Sequence, residues 1–386
     1  MDARALARRA AFALLRAVQK VTLYEGSTVI SGRPLRLLHV GNPRRGRHFV
    51  ARLVGKEPAG RRLGHALVRP VPGRPHRGQE GCDALLVEIN RLYAPAYRRA
   101  GFFTIPEWVE FGCRVVGDPA IRYAGARKSL KCDLRALRAA GLQVVLSRRP
   151  EDFRFFVDRM VRPHASARFA GAAISKDEAR MRRDFKAGFL LLLERGGSRV
   201  AGALVRVDGE RVSETTFGAL DGSEDVLKAG ASAALDHTLH DWAAEHGMRE
   251  INVGHTRPFP DDGVFFNKRK WLMSVLPDDD GVMDHALLWQ GPEELALEAL
   301  AASPFIYEAG SGLGALVVRH APRPLDADGA VKAVRLHWTE GLRSMILVCP
   351  QGFEAGSRDR VRELHGGGVH LCTGLEEALG CYMEGV

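Results

Sequence analysis

The chain has 386 residues, 46% of them hydrophobic, and a formal net charge of +10. That length allows two domains or one large one with a real core, and the basic balance makes a polyanionic partner worth testing. None of the six cysteines (Cys82, Cys113, Cys132, Cys349, Cys372, Cys381) pairs at CxxC spacing. This excludes a zinc ribbon or a CxxC redox motif and fits reduced thiols in a cytoplasmic protein.

Residues 3–19 read as a basic amphipathic helix. Arg interrupts each apolar run there, which argues against a secretory signal or a membrane span. Short apolar runs follow, broken by Gly, Pro and Arg: STVI, LRLLHV, HFVARLV, HALVRPV and DALLVEI. They predict a β-rich region with basic turns. Between Arg33 and Arg77 there are twelve basic residues against Glu57 alone, whereas 272–318 holds no Lys or Arg. Two solvated faces or two regions meeting by charge both fit this pattern. Pro106 predicts the start of a helix that carries Trp108 and Phe111 inward.

The segment 126–141 predicts a basic helix with Leu130, Leu134 and Leu137 on one face, stopped by Gly141. Its cations include Arg127, Lys128, Lys131 and Arg135, which suit phosphate contacts; a solvated connecting helix fits them equally. LQVVLS (142–147) then predicts a strand, 151–161 a helix with Phe155, Phe156 and Met160 as its stripe, and Ser175 with Glu178 a capping box. The runs FLLLLE, RVAGALVRV and RVSETTFGAL, joined by Gly196-Gly197 and Asp208-Gly209, predict an antiparallel meander. One helix is expected from Val226 to Gly247, a strand at Ile251–Val253, and a hairpin-like loop before Lys268. Beyond Trp271 the pattern predicts strands near 272–276 and 284–290, a helix at 292–302 and an alternating strand–helix tail.

The element order over 142–254 resembles the GNAT acyltransferase superfamily. The stretch VGHTRPFPDDGVFFNKRKW narrows the resemblance to its FemAB-like branch, through Gly254, Thr256, Arg257, Gly263, Phe266, Lys268 and Trp271. The chain departs from that pattern by the extra Asn267, by Leu272 in place of Gly, and by a degenerate acyl-CoA loop at Lys228–Ser232. The expected fold class is therefore α+β, or mixed α/β. A GNAT/FemAB-like domain is expected at 142–320, after a basic region at 1–125 that reads as a degenerate GNAT-like lobe and a bridging helix at 126–141. A small α/β extension is expected at 321–386.

The resemblance implies amide formation, with aminoacyl-tRNA or acyl-CoA as donor, a small-molecule or peptide amine as acceptor, and no tightly bound cofactor. It places Lys268 at the reaction centre, offsetting negative charge. Arg257 follows a strand end, where it suits a carboxylate or phosphate. His255 is the candidate proton handler and Glu214 a second candidate base. Lys228, Gly230, Ala231 and Ser232 lie at a helix start that suits donor phosphates. His164, Arg168 and Trp271 are acceptor-contact candidates. His237 and Asp241 spell HxxxD, but on a helix and followed by Trp242, away from the loop that spelling requires. No His/Cys/Asp cluster has metal-ligand spacing. An acyl-CoA-dependent N-acyltransferase and a non-catalytic basic RNA-binding protein stand as alternatives.

Overall fold

The computed structural model describes residues 17–55, 58–69, 81–125, 128–139, 141–169, 177–228, 230–310 and 312–384. The predicted helix at 3–19 lies almost wholly outside them; a strand begins at Val18. The architecture is mixed α/β, and its contacts divide it into two compact units that each draw on several stretches of chain. One comprises Met1–Val109, Thr256–Phe266 and Val275–Val386; the other comprises Glu110–His255 and Asn267–Ser274.

In the first unit, strands Ala59–Leu67, Val18–Ser27, Pro34–Val40, Ala84–Asn90, Met283–Trp289 and Phe103–Pro106 lie side by side in that order. Strand 34–40 runs parallel to 84–90, while 18–27 runs antiparallel to 34–40. A second sheet joins Phe305–Ala309, Gly312–Val318, Leu342–Val348 and Val369–Cys372, so the tail strands extend the sheet begun at 305–318. Three expectations change here. HFVARLV, read as a strand, belongs to a helix at Pro43–Leu53, capped by Asn42 and buried through Phe49, Val50 and Leu53. Gly46, Phe49, Val50 and Leu53 are buried at three- and four-residue spacing, a helical rather than an alternating burial. STVI turns instead of pairing, and the stretch after Phe103 forms strands 103–106 and Val109–Arg114 instead of a helix. Phe111 is buried as expected, but by strand alternation.

In the second unit the predicted strands from 142 to 256 are present in the expected order. Strands Leu142–Ser147, Gly188–Arg195, Ser198–Asp208 and Arg211–Ala219 form an antiparallel meander, and Glu250–Thr256 runs parallel to 211–219 on its far side. The helix predicted at 151–161 divides into Pro150–Phe155 and a wider π-turn at Phe156–Val161. That turn packs so closely on Gly218 that a Cβ there would come within 2.8 Å of the Met160 carbonyl carbon. Only glycine permits the approach. Phe153, Phe156, Met160, Leu190, Leu192 and Leu204 form the core beneath it. Ser175 of the predicted capping box lies outside the described residues, and Asp177 caps the next helix, Glu178–Lys186, by accepting from the Ala179 N–H.

The helix expected from Val226 to Gly247 breaks. Glu224–Lys228 is one short helix, and the central helix runs from Ala231 to Glu245 behind Gly230, whose φ is 88°. Its end follows the sequence closely: Gly247 is left-handed at φ 69°, and Met248 N–H donates to the Ala243 carbonyl at 2.9 Å. This is the Schellman arrangement, which satisfies a carbonyl the helix would otherwise leave bare. The predicted loop before Lys268 contains a helix, Gly263–Lys270, with Asp262 accepting from the Val264 N–H at 2.9 Å. An Asp ahead of a free N-terminal N–H is the usual helix-start chemistry, hidden here among Pro and Asp residues that read as a turn.

Candidate active site

The centre of the second unit is built on the end of strand 250–256. Asn252 turns its side chain back along the strand and accepts from the Gly254 N–H at 2.7 Å. Gly254 takes φ 76°, a conformation that costs other residues about 1–2 kcal/mol. The kink turns three successive carbonyls toward one point. Lys268 Nζ donates to the carbonyls of Val253, Gly254 and His255 at 2.7, 2.9 and 3.2 Å. An ammonium has three N–H donors, so this cage matches its full donor capacity. The Phe111 ring centroid lies 5.8 Å from the same nitrogen.

Glu110 organises the neighbouring groups. Its Oε2 accepts from Asn252 Nδ2 at 2.8 Å, and its Oε1 lies 3.1 Å from His255 Nε2. Arg211 reaches the same carboxylate at 3.4 Å. A carboxylate bonded to one ring nitrogen fixes the imidazole's tautomer and orientation, the arrangement required of a positioned proton acceptor.

Asp236 is the group that sequence reasoning missed. It lies on the buried side of the central helix, with Ala233, Leu239, His240 and Ala243. Burial and the Glu214 carboxylate hold its carboxyl well above the usual carboxylate range, and Lys268 acts in the opposite sense. The signal was present: Asp236 falls three residues after Ala233 and four before His240, inside the helix's inward stripe. A polar residue in an apolar stripe reads as a break in the pattern until its neighbours are known. Glu110 hides similarly, between the inward Val109 and Phe111.

The structure thus brings Lys268, Glu214 and His255 into one unit with Asp236 and Glu110. Arg257 belongs to the other unit and finds its surroundings there. Its guanidinium stacks 3.8 Å above the Trp108 ring and lies 3.9 Å from Glu107, while burial pulls its pKa down to about 10. Its Nη1 is buried with no hydrogen-bond partner among the described residues.

At the donor candidates, Gly230 is the left-handed residue ahead of the central helix, and Ala231 and Ser232 are its first residues. Among the described residues no side chain caps that start, and its first turn holds no acid. The N–H groups there remain available to an anion. Lys228 ends the preceding short helix. Of the acceptor candidates, His164 is buried edge-on to Phe217, and Arg168 sits in helix Arg162–Phe169. Trp271 is buried, meets Tyr123 edge-on, and leaves its Nε1–H without a hydrogen-bond partner. Lys128, Lys131 and Arg135 are exposed on helix Lys128–Ala139; Arg127 lies outside the described residues. His237 Nδ1 lies 3.0 Å from the Tyr123 hydroxyl, and Asp241 binds Arg122 at 2.8 Å.

No family model and no curated protein matches the chain. Among solved structures, it is similar to the C-terminal domain of a protein assigned as a lysylphosphatidylglycerol synthetase from Agrobacterium fabrum, at 11% identity and a TM-score of 0.35 over 77% of this chain and 95% of that one. FemX matches at 11% identity and a TM-score of 0.37 over 69% and 84%. A tandem GNAT protein from the clavulanic acid biosynthesis pathway matches at 12% identity and a TM-score of 0.30 over 72% and 85%. All three TM-scores lie below 0.5, and none of these likenesses carries an inference about activity.

Proposed function

We propose that this chain is an amide-forming acyltransferase that moves an aminoacyl group from aminoacyl-tRNA to the amine of a small molecule or peptide. The observation that carries the reading is the strand end where Lys268 is caged by three carbonyls beside the Glu110–His255 pair. Acyl transfer needs a positioned amine, a proton acceptor and a site that tolerates charge developing on the carbonyl oxygen. His255, held by Glu110, takes the proton from the attacking amine as the new N–C bond forms. The ester C–O bond then breaks, and the leaving ribose hydroxyl recovers that proton from His255. Lys268 fixes the strand end and contributes positive charge next to Glu214 and Asp236.

The uncapped start of the central helix supports a phosphate-bearing donor. Lys128, Lys131 and Arg135 support tRNA in particular, because neutralised phosphates supply most sequence-independent nucleic-acid affinity. The same helix start suits a pyrophosphate, so acyl-CoA is the second donor to test. Aminoacylated tRNA titrated onto the protein at fixed salt, with coenzyme A as competitor, separates the two. The aminoacyl-tRNA reading expects tight binding that coenzyme A leaves intact. Saturable coenzyme A binding with weak tRNA binding would overturn it. A binding-only protein would keep its RNA affinity in Lys268→Ala and show no transfer in either form.

A further inference from the structure

We propose that Cys372 and Cys381 are a disulfide-forming pair: a small-molecule disulfide joins them, and the bond latches helix Leu375–Glu384 onto the first unit. The inference is independent of the transferase reading.

The two sulfurs lie 3.7 Å apart, and both cysteines are reduced. Cys372 closes strand Val369–Cys372, and Cys381 sits on the helix that follows. That helix buries Ala378 and Tyr382, four residues apart, and Cys381 borders the same inward stripe. The connection between strand and helix is held. The Thr373 N–H donates to the Glu377 carboxylate at 2.7 Å, and the Thr373 hydroxyl donates to it at 3.1 Å. Strand end and helix therefore present their thiols to each other as a fixed pair. Bonded sulfurs lie about 2.05 Å apart, so closure asks for a shift of about 1.7 Å, which rotations of the two side chains share between them.

The two thiols differ in what can reach them. Cys372 is 0% exposed, whereas Cys381 is only partly buried. Exchange needs a thiolate that can meet the incoming disulfide, so Cys381 reacts first. Its thiolate attacks one sulfur of the reagent. The reagent's S–S bond breaks, its other half leaves as a thiolate and takes up a proton, and Cys381 is left as a mixed disulfide. Burial, and after it the neighbouring Cys381 sulfur, hold the Cys372 thiol above its usual range. Capping Cys381 removes the second of these causes, because the capped sulfur carries no charge. Cys372 then attacks the Cys381 sulfur, and the second half of the reagent departs with the Cys372 proton. Two protein thiols and one small disulfide have become one protein disulfide and two small thiols.

Tyr382, the residue after Cys381, gives the bond its consequence. Its hydroxyl accepts from the Thr104 N–H at 2.9 Å and from Arg98 Nε at 3.2 Å, and its ring lies 4.8 Å from that of Phe103. Strand Phe103–Pro106 belongs to the six-stranded sheet and Val369–Cys372 to the four-stranded one. The helix thus touches both sheets of the first unit, and a Cys372–Cys381 bond ties it covalently to one of them.

Equilibrating the full chain with about 1 mM each of oxidised and reduced glutathione, then quenching with acid, alkylating and cutting after glutamate, tests the pair. Glu376 and Glu377 lie between the two cysteines, so the bond leaves two peptides linked. The linked form is expected to predominate. In Cys381→Ser, a change at a partly exposed position, Cys372 is expected to stay a free thiol. In Cys372→Ser, Cys381 is expected to stop at the mixed disulfide with glutathione. In the oxidised native chain, amide exchange across 375–384 is expected to slow about tenfold. Both thiols still free in the native chain would overturn the proposal. So would a bond from Cys372 to Cys349, whose N–H donates to the Cys372 carbonyl at 2.9 Å, or amide exchange across 375–384 that oxidation leaves unchanged.

Discussion

Lys268 directs its ammonium at three carbonyls between 2.7 and 3.2 Å, whereas the buried Nη1 of Arg257 has no hydrogen-bond partner among the described residues and lies 3.9 Å from Glu107. Both cations follow the same strand in sequence, and each is held within its own unit. Lys268 is partly buried, and its cage meets all three of its N–H donors. Arg257 is compensated by the face of Trp108, an attraction of about 0.5–2 kcal/mol, and by the Glu107 and Asp262 carboxylates. The same contrast separates other buried polar groups. His39 and His285 in the first unit are buried, and neither ring makes a hydrogen bond to the described residues. A cation whose donors are met is part of the framework. A buried donor that is not met marks a place where the fold carries a cost that stability measurements can read.

The largest effect is expected from breaking the cage. Lys268→Met leaves three carbonyls without their charged donor and removes the cation that acts on buried Asp236, so the protein should lose about 3–5 kcal/mol in urea unfolding. A loss below about 1 kcal/mol would mean that the cage adds little to the fold.

The next effect comes from the first unit on acidification. Burial lowers the His39 pKa to about 4 and holds the His285 pKa well below the usual imidazole range. A histidine whose folded pKa is depressed adds no penalty above about pH 6.5, and folding weakens as the pH falls from there toward 4. For His39 this amounts to about 3 kcal/mol. Amide exchange in strand Pro34–Val40 should accelerate steeply between pH 6.5 and 4. Protection that ignores pH across that window would place another partner on these rings.

Arg257→Leu should change stability by no more than about 1 kcal/mol in either direction. The lost stacking on Trp108 and the relief of a buried unmet donor nearly cancel. A loss as large as that of Lys268→Met would erase the contrast between the two cations.

The smallest change is expected at Leu272, a non-glycine residue that holds φ 61°. The backbone adopts the left-handed conformation there without the residue that makes it easy. Leu272→Gly removes about 1 kcal/mol of strain and adds up to about 1 kcal/mol of unfolded-chain entropy. Thermal melting should show a gain of about 0.5 kcal/mol or none; a clear loss would show that the Leu272 side chain packs.

The meander at 188–219, the strand at 250–256 and the end of the central helix at Gly247 were legible because local pattern and packing agree there. Val253 and Ile251 alternate with Asn252, and Gly247 is the only residue that ends that helix without strain. The strands after Pro106 and the helix at 43–53 were not legible. Their apolar residues number too few to set a period, and tertiary burial decided them. Lys268, His255 and Glu214 were reachable through the resemblance and through strand position. Asp236 and Glu110 were not, because the sequence shows each as one polar residue among inward neighbours. Their meaning arises only when three distant segments meet, at 110, 214–236 and 255–268.

The central claim is that this strand end forms an amide, and label transfer tests it most directly. Radiolabelled aminoacyl-tRNA, and separately labelled acyl-CoA, would be incubated with the protein and a mixture of small amines, then treated with mild base. Base cleaves esters and thioesters and spares amides. The account predicts base-stable label from aminoacyl-tRNA with the native chain and none with Lys268→Ala or His255→Gln. Base-stable product formed equally well by Lys268→Ala, or none from either donor with the native chain, would contradict it.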